Sequence, residues 1–156
     1  MSNVSYSLLL KQVQALIESE SDYIANTANI SSLIYHSMER VNCVGFYFYK
    51  QQELVLGPFS GQPACTRIPV GKGVCGTAFE QRETLLIDDV HEFPGHIACD
   101  AASESEVVVP FVTQTVSGVL DVDSPERARF TVDEKAFFEA VVALLVARIE
   151  AVAEPA

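Results

Sequence analysis

Two of the four cysteines stand in loops where a thiol could carry out chemistry. Cys65 directly follows the Gly- and Pro-containing run Gly61–Ala64, and Cys99 lies among small and polar residues that leave room for a ligand. Two loop thiols on one domain suit a thiol–disulfide cycle, because a mobile partner can reach a cysteine that a substrate has oxidised. Most cysteines are not catalytic, so the sequence around Cys99 alone also fits a structural or incidental residue.

A third cysteine, Cys75, stands between glycines at the start of a predicted helix. The helix dipole there would lower the pKa of its thiol, whereas close packing beside Gly73 and Gly76 would make it structural, and packing is the favoured interpretation. The chain has no Cys-x-x-Cys pair, so we predict no structural zinc and no other metal or cofactor.

Three carboxylates form a second candidate component. Asp121 and Asp123 end a predicted strand, where alternation places both on one face, and Glu106 begins the neighbouring strand just after the Cys99 loop. Crowded carboxyls raise one another's pKa, so one could stay protonated and donate a proton to the oxygen of a sulfoxide. For Asp123 a turn or capping role before Ser124-Pro125 is the alternative.

The predicted elements form an α+β fold in which a central, mostly antiparallel sheet is flanked by N- and C-terminal helices. The first forty residues show two helical repeats of apolar side chains, and the last helix runs from Val132 to about Ala151. A short helix is predicted over Val74–Gln81, and residues 57–76 and 91–105 are expected to be mostly loop. The predicted strands are Cys43–Tyr49, Glu53–Phe59, Thr66–Pro69, Thr84–Ile87, Val107–Val112 and Val116–Asp123. We expect residues 1–156 to form a single domain.

Composition excludes several classes of function. A net charge of −11 over 156 residues argues against nucleic-acid binding, because phosphates would be repelled. The apolar stretches are too short to cross a bilayer, so no membrane partner is predicted. The N-terminus lacks the features of a secretory signal, and a cytoplasmic location is expected.

Five segments combine the cysteines and carboxylates at fixed spacings. They are Leu56–Gly61, Ala64–Ala78, Gly95–Ala101, Ser105-Glu106 and Gly118–Asp123. Taken together they resemble the free methionine-(R)-sulfoxide reductases, which are stand-alone GAF-domain enzymes. The similarity runs from about Asn42 to Ser124 in strong motifs, so the resemblance implies a GAF-like domain and an oxidoreductase activity.

The resemblance also implies roles for the candidate residues. Cys99 would attack the sulfur of free methionine-(R)-sulfoxide, leaving methionine and a sulfenic acid. Cys65 would resolve that acid as a disulfide for thioredoxin to reduce, with Cys75 as an auxiliary or alternative resolver. The three carboxylates would hold the substrate's amino group and polarise the sulfoxide oxygen, and backbone amides near residues 97–99 would bind its carboxylate.

One position departs from the family. The family motif Asn-Trp-x-Gly-Phe-Tyr reads here as Asn42–Tyr47, with Cys43 where tryptophan is expected and Tyr47 retained. We therefore expect Cys43 and Tyr47 to line a pocket that is either more open than in the family or refilled by a neighbouring side chain. A homodimer through the N-terminal helices is also expected. The competing interpretation is a GAF module that binds a small ligand or senses redox state without turnover, since such domains host many functions.

Overall fold

A six-stranded antiparallel sheet divides the molecule into two layers. The structure, a computed structural model, describes residues 5–97 and 102–153. Its strands follow the order β3-β2-β1-β6-β5-β4, which confirms the predicted fold class. The elements are α1 (Tyr6–Ile17), α2 (Tyr23–Ser37), β1 (Cys43–Lys50), β2 (Glu53–Gly61), β3 (Arg67–Pro69), α3 (Gly73–Gln81), β4 (Leu85–Ile87), a 3₁₀ turn (Val90–Glu92), β5 (Ser105–Val112), β6 (Ser117–Ser124) and α4 (Val132–Ala153).

Strand alternation assigns the side chains to the two layers. On β1, Val44, Phe46 and Phe48 face the large core formed with α1, α2 and α4. Tyr47 points to the opposite face and packs in a smaller core with Val74 and neighbouring residues of α3. Because the side-chain period of a strand is two, one sheet serves both a helical layer and a second layer beside α3.

The long helices begin at well-defined caps. Asp22 accepts a hydrogen bond from the backbone N–H of Ile24 at the start of α2. At α4, Thr131 and Glu134 cap each other's backbone N–H groups, an arrangement known as a capping box. Among the described residues, no helix combines the length and the apolar character needed to cross a membrane.

The prediction of loop was wrong for Ser60 and Gly61, which extend the predicted strand Glu53–Phe59 by two residues. Strand β2 continues to Gly61, which pairs with Cys43 of β1. A register shift between Gly45 and Tyr47 interrupts the ladder and lets pairing resume beyond it. Glycine and proline lower strand propensity, but the hydrogen bonds to an already ordered neighbouring strand outweigh that local preference.

Glu134 offers a test of how α4 is attached to the rest of the molecule. Its carboxylate pairs with Arg129 at 2.8 Å, both side chains being buried, and accepts the phenol of Tyr6 from α1. We expect Glu134→Ala to lower the free energy of unfolding by about 3 kcal/mol, because Arg129 is left buried without its partner. Urea denaturation measures this loss.

Asp133→Ala provides the matched control, since Asp133 is an exposed carboxylate in the same turn of α4. It should cost less than about 1 kcal/mol. Equal effects of the two substitutions would contradict a specific role for Glu134.

Candidate functional site

A cavity opens on the face of the sheet that carries α3. Its described walls come from β1, β3, β5, β6 and α3, with residues 62, 64, 96, 97 and 103 of the neighbouring loops. The structure brings together in it six of the side chains singled out from the sequence, namely Cys43, Tyr47, Cys75, Glu106, Asp121 and Asp123. Cys65 follows the wall residue Ala64 directly, and Cys99 lies outside the described residues.

The sheet register fixes the three carboxyls side by side. Asp123 of β6 pairs with Glu106 of β5 on one side and with Cys43 of β1 on the other. Asp121 stands two residues earlier on β6, so it shares that face, as alternation predicted. Cross-strand neighbours are about 5 Å apart at their β-carbons, so a thiol and three carboxyls meet in a small area.

Burial favours the protonated forms of two of these carboxyls, Glu106 and Asp121. All three carboxyls are more than nine-tenths buried. Loss of hydration, followed by the nearby charge of Asp123, raises the pKa of Glu106 to about 8. Loss of hydration, followed by the charge of Glu106, raises the pKa of Asp121 well above its ordinary value. At neutral pH the cluster therefore holds protons that isolated carboxyls would have lost.

The described part of the cavity wall has no lysine or arginine to balance these carboxyls. Its one histidine is His96, whose pKa is lowered by loss of hydration and by nearby His91. A positively charged ligand would thus bind to these acidic groups without competition from a lysine or arginine of the described wall.

One buried carboxyl oxygen in the cavity wall, the Oδ1 atom of Asp121, accepts no hydrogen bond from the described residues. Leaving a buried acceptor unpaired costs about 1–3 kcal/mol, and most such atoms in proteins are satisfied. Its position in the wall makes it a contact point for a donor group of a bound molecule.

Cys75 occupies a tightly packed position rather than an activated one. Its thiol donates a hydrogen bond to Oε2 of Glu106 at 3.8 Å. Loss of hydration, with the charges of Asp121 and Glu106 next, raises its pKa well above the ordinary value. The less favoured alternative, a pKa lowered by the helix start, does not hold, because burial beside carboxyls outweighs a dipole that reaches only one turn.

The glycines on either side of Cys75 allow this close packing. Gly73 has a φ of +61°, a left-handed conformation, and Ile97 covers it so closely that a β-carbon there would lie 3.2 Å from Cγ1. A β-carbon on Gly76 would overlap the carbonyl oxygen of Pro69 in β3. The packing interpretation of this segment therefore fits the structure.

Tyr47 connects the cavity wall to the Cys65 loop. Its hydroxyl donates a hydrogen bond to the carbonyl oxygen of Cys65 at 3.0 Å. Cys65 is disulfide-bonded, whereas Cys43 and Cys75 are not. One cysteine of the loop pair is thus oxidised while the two thiols of the wall are reduced.

Backbone hydrogen bonds attach the far end of the Cys99 loop beside the carboxyls. Glu104 accepts from the N–H of Val90 at 2.9 Å and donates to the carbonyl of Ser124 at 2.7 Å. Asn42 donates from its side-chain amide to the hydroxyl of Ser103 at 3.2 Å. The sequence did not assign Ser103 or His96 to the cavity. Their position in the same loop as Cys99 is the sequence feature that could have indicated it.

Two groups of wall side chains could in principle hold a metal ion. Cys43, Asp121 and Asp123 form one group, and Cys75, Glu106 and Asp121 form the other. In each group the potential ligand atoms lie within 4.8 Å of one another. Asp121 belongs to both groups, so the two arrangements would compete for one ion.

Known proteins resemble this chain along most of its length. A family model described as a GAF domain matches residues 26–150. Protein YtsP of Bacillus subtilis (strain 168) is 58% identical, covering 83% of this chain and 82% of its own. The free methionine-R-sulfoxide reductase of Escherichia coli (strain K12) is 47% identical, covering 90% and 86%. The free methionine-R-sulfoxide reductase of Neisseria meningitidis, solved in complex with its substrate, has a TM-score of 0.91 and 37% identity, covering 97% and 95%.

Burial of Glu106 predicts a specific dependence of stability on pH. The folded protein favours protonated Glu106 up to about pH 8, whereas the unfolded carboxyl loses its proton near its ordinary pKa of 4.5. The free energy of unfolding should therefore fall as pH rises from about 5 to about 8. We expect Glu106→Gln, which cannot ionise, to make that fall shallower in urea denaturation.

Glu150→Gln is the control, because Glu150 is exposed on α4 and does not line the cavity. It should leave the dependence on pH unchanged. If Glu106→Gln also leaves it unchanged, Glu106 ionises as an ordinary carboxyl.

Proposed function

This chain belongs to the GAF-domain family of free methionine-R-sulfoxide reductases, and we propose that it reduces free methionine-(R)-sulfoxide to methionine in the cavity described above. The observation that carries the proposal is the group of three buried carboxyls in a wall without lysine or arginine among its described residues. A free amino acid supplies the ammonium group that such a wall can bind.

The carboxyls would select a free amino acid over a peptide. Asp121 has an unpaired oxygen for an N–H of the substrate's ammonium group, and Asp123 lies across the strand pair from Glu106. A peptide-bound methionine sulfoxide has a neutral amide at this position and carries more chain than a closed wall admits. Cys43 and Tyr47 would line the side of the pocket that receives the methylsulfinyl group.

The proposed chemistry transfers the sulfoxide oxygen to Cys99. The Cys99 thiolate attacks the sulfur to form a sulfur–sulfur bond, and Glu106 gives a proton to the sulfoxide oxygen. The oxygen then bonds to the Cys99 sulfur as the sulfur–sulfur bond and the substrate's sulfur–oxygen bond break, so methionine leaves and Cys99 holds a sulfenic acid. The raised pKa of Glu106, about 8, supports this donor role at neutral pH. A second proton, from the original thiol, returns to the carboxyl cluster.

Cys65 would then regenerate the enzyme. Its thiol attacks the sulfenic sulfur of Cys99, water leaves, and a Cys65–Cys99 disulfide forms for thioredoxin to reduce by dithiol exchange. The disulfide-bonded state of Cys65 supports this pairing, as does the reduced state of Cys43 and Cys75. The pKa of Cys75 is raised by burial, which makes it a poor competitor as resolving thiol.

We further propose that thioredoxin reduces the disulfide, that the protein acts in the cytoplasm under oxidative stress, and that residues 1–156 form a single domain. For the homodimer, α1 exposes the apolar side chains of Leu8 and Leu16, which a second copy would cover.

The substrate's amino group provides the first test of the proposal. We expect N-acetylmethionine-(R)-sulfoxide to show a kcat/KM lower by roughly tenfold to a hundredfold than the free amino acid, since it leaves buried carboxyls unpaired. Methionine sulfoxide methyl ester is the matched control, because it retains the ammonium group. Comparable turnover of the N-acetyl compound would contradict the proposed recognition.

Cysteine variants separate the chemical steps. Cys99→Ser should release no methionine even in a single turnover, whereas Cys65→Ser should release about one methionine per chain and then stop, even with thioredoxin present. Mass spectrometry of the stopped Cys65→Ser enzyme should show one added oxygen.

Cys75→Ser is the control for the loss of a thiol near the cavity, and it should still cycle. If Cys65→Ser cycles normally, another thiol resolves the sulfenic acid. Substrate binding without any methionine release by the unaltered protein would instead indicate a binding module.

A further inference from the structure

Position 43 adds a thiol to an acidic wall. Cys43 pairs with Asp123 across β1 and β6, and Gly45 pairs with Asp121, so all three side chains lie on one face of two hydrogen-bonded strands. The Cys43 sulfur and the carboxylate oxygens of both aspartates lie within 4.8 Å of one another. Strand pairing holds their backbones, so small side-chain rotations are enough to change these distances.

The two aspartates and Cys43 match the ligand preferences of zinc. Zinc takes thiolate sulfur at about 2.3 Å and carboxylate oxygen at about 2.1 Å, so its ligand atoms lie roughly 3.5 Å apart. The observed group must therefore close by about an ångström around an ion. One sulfur and two oxygens leave the fourth position of a tetrahedral site for water or a substrate group.

A second, independent feature points to a cation at this place. Asp121 is 5% exposed, and its Oδ1 atom has no hydrogen-bond partner among the described residues while it faces the cavity. The described lining residues provide no lysine or arginine to occupy that oxygen. A divalent ion would satisfy this oxygen and offset the charge of two aspartates and a thiolate.

Cys43 fits the role better than the other thiol of the wall. Cys75 stands on a helix that is packed closely between β3 and Ile97. A metal ion at Cys75 would have to enter this more crowded space. Cys43 lies on the strand that directly adjoins both aspartates.

We propose that Cys43, Asp121 and Asp123 form a site for a thiophilic divalent cation such as zinc, and that the bound ion blocks the cavity to substrate. Binding displaces the thiol proton of Cys43 and the carboxyl proton of Asp121 to solvent, and the ion takes the carboxyls that would hold the substrate's ammonium group. The blocking effect rests on the proposed function, whereas the metal site itself does not.

Cobalt provides a direct probe of the site without any turnover. The protein is kept oxidised, with Cys65 in its disulfide, so the thiols among the described cysteines are those of Cys43 and Cys75. Titration with Co²⁺ should produce a thiolate-to-cobalt charge-transfer band and the strong visible bands of tetrahedral cobalt, and Zn²⁺ should displace both. Absence of the charge-transfer band in the unaltered protein overturns the inference.

Matched variants identify the thiol. Cys43→Ser should lose the charge-transfer band, and Cys75→Ser should keep it; the reverse pattern overturns the assignment. Asp123→Asn keeps both thiols and should weaken Co²⁺ binding at least about tenfold, which tests the site even if Cys43→Ser does not fold. Unchanged Co²⁺ affinity in Asp123→Asn contradicts the proposed ligand set.

The blocking effect is measured separately. Zn²⁺ should inhibit single-turnover methionine release by the reduced protein, and Cys43→Ser should need about tenfold more Zn²⁺ for the same inhibition. Equal sensitivity of the two proteins contradicts the blocking effect. If the protein releases methionine but shows no cobalt band, the metal site is refuted and the proposed function stands. If it shows the cobalt band but releases no methionine, the proposed function is refuted and the metal site stands.

Discussion

The crowding of three buried carboxyls on one face of two neighbouring strands is the constraint on which the site depends. An isolated charge in such a place is very costly, so the carboxyls either stay protonated or acquire a cation. The raised pKa values of Glu106 and Asp121 show the first response. The second response, binding of a cation, is favoured by the unpaired oxygen of Asp121 and by the lack of lysine and arginine among the described wall residues. Both the proposed substrate and the proposed metal ion act as that missing cation.

The rest of the fold supports this arrangement from the opposite face. The helices α1, α2 and α4 cover the apolar side chains of the central strands, so the sheet stays ordered while its other face carries polar groups. The short helix α3 packs against β3 through Gly76, and its first residues form one wall of the cavity. Stability is thus supplied mainly by one layer and chemistry by the other, which allows polar residues to be buried without loss of the fold.

The sequence predicted the layers well and the environment of single residues poorly. Alternation correctly placed Asp121 and Asp123 on one face, because a strand has a period of two regardless of its neighbours. The extension of β2 to Gly61 and the raised pKa of Cys75 depend on partners that are distant in sequence, namely β1 and the carboxyls of β5 and β6. Local propensity and a local dipole carry no information about those partners. The place of Ser103 in the wall likewise follows from its contact with Asn42, sixty-one positions earlier.

The central claim, that the carboxyl cluster receives the substrate's ammonium group, predicts an exchange of protons. An ammonium group bound beside Glu106 and Asp121 lowers their raised pKa values, so protons must leave when substrate binds. Calorimetry of methionine-(R)-sulfoxide binding to Cys99→Ser at neutral pH, repeated in buffers of different ionisation enthalpy, measures that release directly. The account predicts a net release of up to about one proton per bound substrate. Binding with the same heat in every buffer, and hence no exchange of protons, would contradict it.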